Sequence, residues 1–301
     1  MGKVNVYQVD VFTKQLFKGN PAGVVSNADG LSASQMQQIA RELNNSETAF
    51  ILSPDGSDHA LRIRYFTPTT EVPLCGHATI AAHYVRALEI NPPNSSVYQK
   101  TGAGRQKIDY MRREDGDYRI TMTQDEISLD KIIEGENKGF LLTSLGLGID
   151  DLYERFPIQI VSTGHSKVLA GIKSRGKLNS LAPNLANLVE LSARIGCNGY
   201  FVFTLDSDEP DILTHGRMFA PAIGIPEDPG TGNAHGPLGV YLVHHDLVNH
   251  DGSRFEFNGK QGTAINRESV VRVSVDIEDR IPKRVRISGD AVIAFKGEIL
   301  I

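Results

Sequence analysis

The stretch RYFTPTTEVP, residues 64–73, recurs as RMFAPAIGIP, residues 217–226, with its arginine, phenylalanine and both prolines at the same internal spacing. Agreement over this length indicates an internal duplication. Solenoid and propeller repeats recur every ~20–50 residues, whereas these two copies lie in opposite halves of the chain. The duplication therefore predicts two domains of one fold.

The duplication extends on both sides of these stretches. The same offset aligns Ala40–Arg41 with Ala193–Arg194 and Phe50 with Phe203, and a three-residue insertion then aligns Gly76–His77–Ala78 with Gly232–Asn233–Ala234. On this alignment Glu47 lies opposite Tyr200, and Cys75 lies opposite Asp228. Ligand sites favour domain interfaces, so we expect Glu47, His77 and Asp228 to meet at equivalent edges of the two halves.

Three segments alternate apolar and polar side chains with the period of two that half-buried strands have: Val4–Val11, Leu61–Phe66 and Val270–Val275. Helices are predicted to begin at Ser32, after Gly76 and after Gly232. The polar, acidic stretch Asp125–Asn137 predicts the crossing between domains. We therefore divide the chain into an N-terminal domain, residues 1–128 completed by residues 288–301, and a C-terminal domain, residues 129–287, both rich in antiparallel sheet.

Composition and charge narrow the class of protein. The 301 residues are 40% hydrophobic and 22% charged, as in ordinary globular chains. The formal net charge is −5 and no long basic run occurs, so nucleic acid is not expected as a partner. No segment reaches the ~18 apolar residues of a membrane span, and the first ten residues do not resemble a leader. With only two cysteines, we expect no disulfide, no membrane partner and a cytoplasmic location.

Two glycine-rich turns each open an apolar helix: PLCGHAT, residues 73–79, and DPGTGNA, residues 228–234. The first N–H groups of a helix have no backbone partner and lie at the positive end of its dipole, so each turn is a candidate anion site. Two such helix starts could hold a substrate carboxylate. The alternative is that the glycines only make tight turns.

Three side chains near these turns can move protons. Glu47 lies where a helix ends and an apolar strand begins, and it can serve as a general base, although a glutamate there is commonly a solvated strand end. His77 lies in a helix-opening turn, where an imidazole can carry a proton near neutral pH. Asp228 is either a further acid–base group or only the cap of its turn.

Other chemistries fit the sequence less well. A racemase with two thiol bases would need a second thiol facing Cys75, but Cys197 aligns with Asn44, so we interpret Cys75 as structural. No metal is expected, because no recognised ligand spacing is formed by His77, His83, His235, His244, His245 and His250. No complete dinucleotide loop, phosphate loop or nucleophile elbow occurs, so neither a nucleotide cofactor nor acyl hydrolysis is indicated.

Four ordered motifs span nearly the whole chain: VDVF with GNPAGV (residues 9–12 and 19–24), SETAF (46–50), CGHAT (75–79) and EDPGTG (227–232). They resemble the PhzF family of phenazine biosynthesis, within the diaminopimelate-epimerase-like superfamily, and in particular its YddE-type isomerases. The resemblance implies an α+β fold of two similar domains, each an antiparallel β-barrel-like sheet around a central α-helix, assembled as a homodimer. The helices after Gly76 and Gly232 would be those central helices.

The resemblance also implies a chemistry. Glu47 would be the general base and acid that removes a proton beside an unsaturated system and returns it elsewhere on the same face, assisted by His77 and Asp228. A small carboxylate-bearing substrate, handled without metal or organic cofactor, would be bound by Ser46, Gly76, Gly232 and Asn233.

Two positions depart from the family pattern. Asn233 stands where PhzF has serine, and His235 follows shortly after, so the family's phenazine precursor is not transferred to this chain. Two alternatives to a proton-shifting isomerase stay open. One is a small-molecule binding or sequestering protein of the same fold; the other is an epimerase with unlike bases, Cys75 opposite Asp228.

Overall fold

Strands make up most of the regular structure. The structure is a computed structural model that describes residues 2–124 and 126–301. In chain order its strands are β1 (Lys3–Val11), β2 (Asn20–Val25), β3 (Thr48–Leu52), β4 (Leu61–Phe66), β5 (Glu71–Val72), β6 (Ser95–Thr101), β7 (Gly104–Arg112), β8 (Tyr118–Thr123), β9 (Ser128–Ile132), β10 (Gln159–Ser162), β11 (Lys167–Gly171), β12 (Tyr200–Thr204), β13 (Thr214–Ala220), β14 (Ile225–Asp228), β15 (Arg254–Gln261), β16 (Ser269–Glu278), β17 (Ile281–Gly289) and β18 (Ala291–Leu300). The α-helices are α1 (Ala33–Leu43), α2 (Gly76–Ile90), α3 (Gly135–Leu145), α4 (Arg175–Asn179), α5 (Leu185–Ile195) and α6 (Gly232–His244).

The predicted strands and helix starts are confirmed. The three alternating segments are β1, β4 and β16, and the three predicted helices are α1, α2 and α6. The start of α1 is fixed by a capping box, in which the Ser32 hydroxyl accepts from the Gln35 N–H and the Gln35 side chain accepts from the Ser32 N–H. Asn44 ends this helix in the left-handed conformation.

Two longer helices, α3 and α5, were not predicted. Asn184 caps α5, and Leu188, Leu191 and Ile195 form its buried stripe with helical spacing. The stripe of α3 is harder to see in the sequence, because this helix is buried mainly by packing against α5 and the surrounding core. The described part of the predicted domain crossing holds β9 and the start of α3, while Asp125 lies outside the described residues.

The chain divides into two compact units: unit 1 is Met1–Thr123 with Ser288–Ile301, and unit 2 is Gln124–Ile287. In unit 1, β1 pairs antiparallel with both β2 and β18, and β2 runs parallel to β3. β4 pairs antiparallel with β3 and β5 and parallel with β6, and the meander β6–β7–β8 follows. Helix α2 contacts β1, β2, β3, β8 and β18, so strands surround it.

Unit 2 repeats this order of pairings. β10 is antiparallel to β9 and β11, β11 is parallel to β12, and β12 is antiparallel to β13. β13 pairs antiparallel with β14 and parallel with β15, which pairs antiparallel with β16. Helix α6 contacts β10, β11, β15 and β16. The predicted α+β class is therefore confirmed, with two similar domains that each pack a mainly antiparallel, barrel-like sheet around a central helix.

Strand register shifts the sequence alignment by one residue along β3 and β12, so Phe50 corresponds to Val202 and not to Phe203. Thr48 pairs with Phe66 as Tyr200 pairs with Phe219, so the structural counterpart of Tyr200 is Thr48, not Glu47. The counterpart of Glu47 is Gly199, whose carbonyl accepts from β11 as the Glu47 carbonyl accepts from β2. The sequence alignment missed this because the connection from β3 to β4 and the connection from β12 to β13 differ in length by one residue. The sequence does not mark the position of this difference.

Register also moves the three-residue insertion. Tyr65 pairs with Val72 as Met218 pairs with Asp228, so the insertion is the short 3₁₀ turn Pro221–Ile223. The counterpart of Cys75 is consequently Thr231, and both residues are the N-caps of their central helices. The predicted pairing of Cys75 with Asp228 was therefore wrong.

Among the described residues no helix combines the length and apolar character needed to cross a membrane.

Candidate active site

Glu47 lies immediately before β3, where α1 has ended and the chain enters the sheet. Its carbonyl accepts from the Gly23 N–H at 3.2 Å, which ties the backbone at this point to β2. The Glu47 side chain is only 14% exposed, so it is not the solvated strand end that the alternative interpretation supposed. A fixed, mostly buried carboxylate is a suitable proton acceptor.

His77 is the partner of this carboxylate. Its Nε2 lies 3.5 Å from Glu47 Oε2 and 3.4 Å from Ser46 Oγ, whereas its Nδ1 lies 3.5 Å from Cys75 Sγ. The ring is thus held from both sides, with oxygen groups on one nitrogen and a thiol on the other. Unit 1 therefore brings together the side chains of Ser46, Glu47 and His77, and the acid–base roles of Glu47 and His77 stay predictions.

The start of α2 supplies N–H donors beside this group. The first backbone bond of the helix runs from the Thr79 N–H to the Cys75 carbonyl at 3.0 Å, so the N–H groups of Gly76, His77 and Ala78 have no acceptor within the helix. The Thr79 hydroxyl also donates to the Cys75 carbonyl. The helix dipole adds positive potential here, and an anionic substrate group fits this point.

Asp228 ends β14 in unit 2 and is almost fully buried. The Thr231 hydroxyl donates to its carboxylate, and Gln261 Nε2 donates to its carbonyl at 2.5 Å. Gln261 also binds Thr231 through the backbone N–H and the hydroxyl. Gly262 has φ +81°, and a Cβ at this position would lie 2.7 Å from the Pro229 carbonyl. Glycine therefore allows the backbone to lie close to this turn. The Asp228 carboxylate binds the N-cap residue of α6, and an acid–base role for Asp228 stays a prediction beside the capping role.

A buried lysine lies in the same unit as Asp228. Lys167 is 7% exposed, and its aliphatic chain passes over Gly199, where a Cβ would lie 2.5 Å from Lys167 Cδ. Burial lowers the pKa of the Lys167 ammonium group, while Cys197 and the Asp228 carboxylate act in the opposite direction. Burial also raises the pKa of the Cys197 thiol.

Gly232 and Asn233 form the first turn of α6. The first backbone bonds of this helix are donated to the Thr231 carbonyl by Ala234 and His235, so the N–H groups of Gly232 and Asn233 have no acceptor within the helix. His235 is fully buried and packs edge-on against Phe201, with ring centroids 4.9 Å apart. Of the two positions that depart from the family pattern, Asn233 therefore remains as the candidate substrate contact.

A metal could in principle be bound by side chains of unit 1. Among the described residues, ligand atoms of Glu47, Cys75 and His77 lie within 4.8 Å of one another. However, the imidazole presents Nδ1 to the thiol and Nε2 to the carboxylate, and one ion cannot be bound through both ring nitrogens. One ligand atom from each residue is nevertheless close to the other two, so the absence of a metal stays a prediction.

Several polar residues around these groups were not found from the sequence. They are Thr231 and Gln261 beside Asp228, and Gln124 and Thr163 beside Asn233. Gln124, Thr163 and Gln261 are far in sequence from the residues they bind, so no local motif marks them. Thr231 could have been found, because it lies within the second glycine-rich turn.

The chain was compared with known proteins. The sequence pattern of the family described as phenazine biosynthesis-like protein (PhzC-PhzF) matches residues 9–297. The chain is similar to the uncharacterized isomerase YddE of Escherichia coli strain K12, with 49% identity over 296 residues that cover 98% of both chains. It is also similar to the trans-2,3-dihydro-3-hydroxyanthranilate isomerase of Pseudomonas chlororaphis, with 32% identity covering 97% of this chain and 98% of that one.

A solved structure agrees with these sequence matches. The chain is similar to the crystal structure of a Bacillus anthracis phenazine biosynthesis protein of the PhzF family, with a TM-score of 0.90 and 32% identity. The match covers 100% of both chains.

Proposed function

The chain belongs to the phenazine biosynthesis-like (PhzC-PhzF) family and is an isomerase, and from this premise we propose that it shifts a proton on a small metabolite without a cofactor. The metabolite carries a carboxylate and is cyclic or unsaturated. Glu47 removes a proton from a carbon beside the unsaturated system and returns a proton to a second carbon on the same face.

The observation that carries this proposal is the contact of 3.5 Å between Glu47 Oε2 and His77 Nε2 in a mostly buried setting. When Glu47 takes the proton, the electron pair of the broken C–H bond spreads over the conjugated system of the substrate. His77 orients the Glu47 carboxylate through its Nε2 and supports the return of the proton. No electron is gained or lost by the substrate, so the reaction needs only acid–base groups.

The substrate is held by groups that cannot titrate near neutral pH. We assign Ser46 and the N–H groups at Gly76 to binding in unit 1, and Gly232 and Asn233 to binding in unit 2. Asp228 is the third acid–base group of the proposal. The hydrogen bond from the Thr231 hydroxyl keeps the Asp228 carboxylate in one orientation.

The test is proton exchange with solvent. The protein is incubated in D₂O with trans-2,3-dihydro-3-hydroxyanthranilate and with other unsaturated cyclic carboxylates, and deuterium uptake is followed by mass spectrometry. We expect Glu47→Gln to lower the exchange rate by about 10²–10⁴-fold, because it removes the proton acceptor and keeps the side-chain shape. Glu42→Gln is the matched control, since Glu42 is 77% exposed at the end of α1. Undiminished exchange in Glu47→Gln would contradict the proposal.

The same experiment addresses the binding-protein alternative, which the Asn233 position favours. Tight binding of a carboxylate by the wild-type protein, without exchange or conversion, would favour sequestration over isomerisation.

A further inference from the structure

The side chain of Gln124 lies beneath the first turn of α6 and joins three groups. Its Nε2 donates to the Gly232 carbonyl at 3.2 Å and to Asn233 Oδ1 at 2.9 Å, and its Oε1 accepts from the Thr163 hydroxyl at 2.9 Å. Gln124 is 6% exposed and Thr163 is 2% exposed. The carboxamide is therefore buried with both of its polar atoms engaged.

These contacts determine the orientation of two amides. A backbone carbonyl can only accept, so the Gln124 atom facing Gly232 must be the nitrogen. The Asn233 atom facing that nitrogen must then be an acceptor, which is Oδ1. The Thr163 hydroxyl, which can rotate, donates to the remaining oxygen of Gln124. The Gly232 carbonyl therefore fixes the orientation of both the Gln124 and the Asn233 amide.

Asn233 is consequently left with its NH₂ group available. Its Oδ1 is occupied by Gln124, and no acceptor for Nδ2 occurs among the described residues. The side chain is partly exposed at the start of α6. This NH₂ group can only donate, and it adds to the N–H groups and the dipole of the same helix end.

The position of the Gln124 carboxamide requires a glycine at position 236. A Cβ at position 236 would lie 1.7 Å from Gln124 Oε1, so only glycine allows the buried carboxamide to lie against α6. Gly236 is thus as much a part of the arrangement as Thr163.

We propose that Gln124 is a positioning residue that fixes Asn233 as a hydrogen-bond donor, so that the site selects substrates with an oxygen acceptor, a carboxylate or carbonyl, at this point. The proposal deepens the proposed function, because it rests on Asn233 contacting the substrate. Its first part, the orientation of the amide, is a property of the free protein and does not depend on turnover.

The first measurement is neutron diffraction from crystals of the free wild-type protein exchanged into D₂O, in which deuterium distinguishes Nδ2 from Oδ1. We expect Oδ1 of Asn233 to face Gln124. Deuterons on the atom that faces Gln124 would overturn the proposal, whether or not any proton exchange activity is found. This measurement needs no variant and so does not depend on a variant folding.

The second measurement is the affinity for anthranilate by calorimetry. Anthranilate is an aromatic carboxylate related to the substrate named for the Pseudomonas chlororaphis relative. We expect the wild type to bind it more tightly than aniline, which has no carboxylate. We expect Gln124→Met, a neutral replacement of similar length, to weaken anthranilate binding about 3- to 10-fold, because the Asn233 amide is no longer held with its NH₂ group directed away from position 124. Equal affinity for anthranilate and aniline in the wild type would overturn the selection.

A double-mutant cycle separates positioning from a general structural role. In an Asn233→Ala background no polar side chain remains to be oriented, so we expect Gln124→Met to change anthranilate affinity by less than about 2-fold. The same loss in both backgrounds would show that Gln124 does not act through Asn233, and the proposal would fall.

Discussion

Cys75 contacts the Nδ1 side of the imidazole whose Nε2 faces Glu47. A thiol in this place can act either as a second base or as a neighbour that holds the ring. Its counterpart in unit 2 is Thr231, whose hydroxyl binds the Asp228 carboxylate. In both units the N-cap side chain thus supports the acid–base residue beside it, and we interpret Cys75 as such a support.

Replacement of Cys75 tests this interpretation. We expect Cys75→Ala to change the rate of deuterium exchange by less than about 10-fold, because a group that only orients the ring contributes less than the ~10²–10⁴-fold of a general base. Exchange rates from mass spectrometry decide the question. Cys197→Ala removes the other buried free thiol and serves as the control. A loss as large as that in Glu47→Gln would favour the epimerase with unlike bases.

At the residue scale, the sequence predicted His77 and Asp228 from their glycine-rich turns and Glu47 from the junction between a helix and a strand. His77 and Glu47 were predicted as acid–base partners, and they lie 3.5 Å apart, although their roles stay predictions. The residues that orient Asn233 were not predictable, because Gln124 and Thr163 come from distant parts of the chain. Such contacts depend on the tertiary fold and leave no pattern in the sequence.

At the scale of elements, the two central helices differ in what they bury. Helix α2 carries His83, whose Nε2 lies 2.8 Å from Gln99 Oε1 and whose Nδ1 lies 2.6 Å from the Tyr110 hydroxyl. Helix α6 carries His235, which packs edge-on against Phe201 and lies beside the Gln261 side chain. Burial lowers the pKa of His83 to about 4 and that of His235 to about 3. Both helices therefore hold a neutral imidazole in the core.

These histidines predict a dependence of stability on pH. The pKa of a histidine in the unfolded chain is ~6.5. Below that pH the unfolded chain therefore binds protons that the folded protein does not bind. Each buried histidine contributes its full stabilisation above ~6.5 and loses about 1.4 kcal/mol per pH unit as the pH falls towards 4. We expect His83→Gln to reduce the slope of unfolding free energy against pH by this amount, measured by urea denaturation between pH 7 and pH 5.

His235→Gln should reduce the slope similarly, and the double variant should reduce it about twice as much, because the two sites lie in different units. Equal slopes in the wild type and in His83→Gln would show that His83 binds protons equally in the folded and unfolded states.

The helices also show where element prediction failed. Helix α1 was predicted from its capping residue and apolar stripe, and α5 carries comparable signals in Asn184 and Leu188. The internal duplication pointed to α5 as well, since Ala40–Arg41 of α1 aligns with Ala193–Arg194. Helix α3 has weak periodicity, and its packing against α5 could not be foreseen from local sequence.

For the whole molecule, both copies of the duplication contain the same arginine–glutamate ion pair, which is partly exposed in unit 1 and buried in unit 2. Arg64 makes a bidentate bond to Glu71 and lies over Phe66, and Arg217 makes the same bond to Glu227 and lies over Phe219. The side chains of the first ion pair are 33% and 44% exposed, whereas those of the second are 8% and 12% exposed. The second arginine also donates to the carbonyls of Leu178 and Leu181.

The two copies should differ in their contribution to stability. We expect Arg217→Ala to lower the free energy of unfolding by about 3–5 kcal/mol, because Glu227 is left as a buried charge and the carbonyls of Leu178 and Leu181 lose this donor. Arg64→Ala is the matched variant in the exposed copy, and we expect it to cost about 0–1 kcal/mol. Urea denaturation measures both.

Removing Glu227 together with Arg217 should restore part of the lost stability, since no unpaired charge remains. Equal losses for Arg64→Ala and Arg217→Ala would show that burial does not decide the strength of this contact.

The architecture as a whole was predictable because a duplication marks two similar domains directly in the sequence. The location of the insertion was not, since only strand register places it at Pro221–Ile223. The domain division after residue 128, the homodimer, the cytoplasmic location and the meeting of Asp228 with Glu47 and His77 stay predictions.

The pairing of β1 with β18 has a consequence for biosynthesis. One edge of β1 can pair with β2 as soon as both strands have emerged from the ribosome. The other edge pairs with β18, with Val11 opposite Ala291 and Lys3 opposite Leu300. Strand β18 is translated after all of unit 2. During that interval the nascent chain presents an open strand edge of the kind that invites aggregation. Unit 2, which is continuous in the chain, can fold first, and the open edge of β1 is paired only after β18 has been translated.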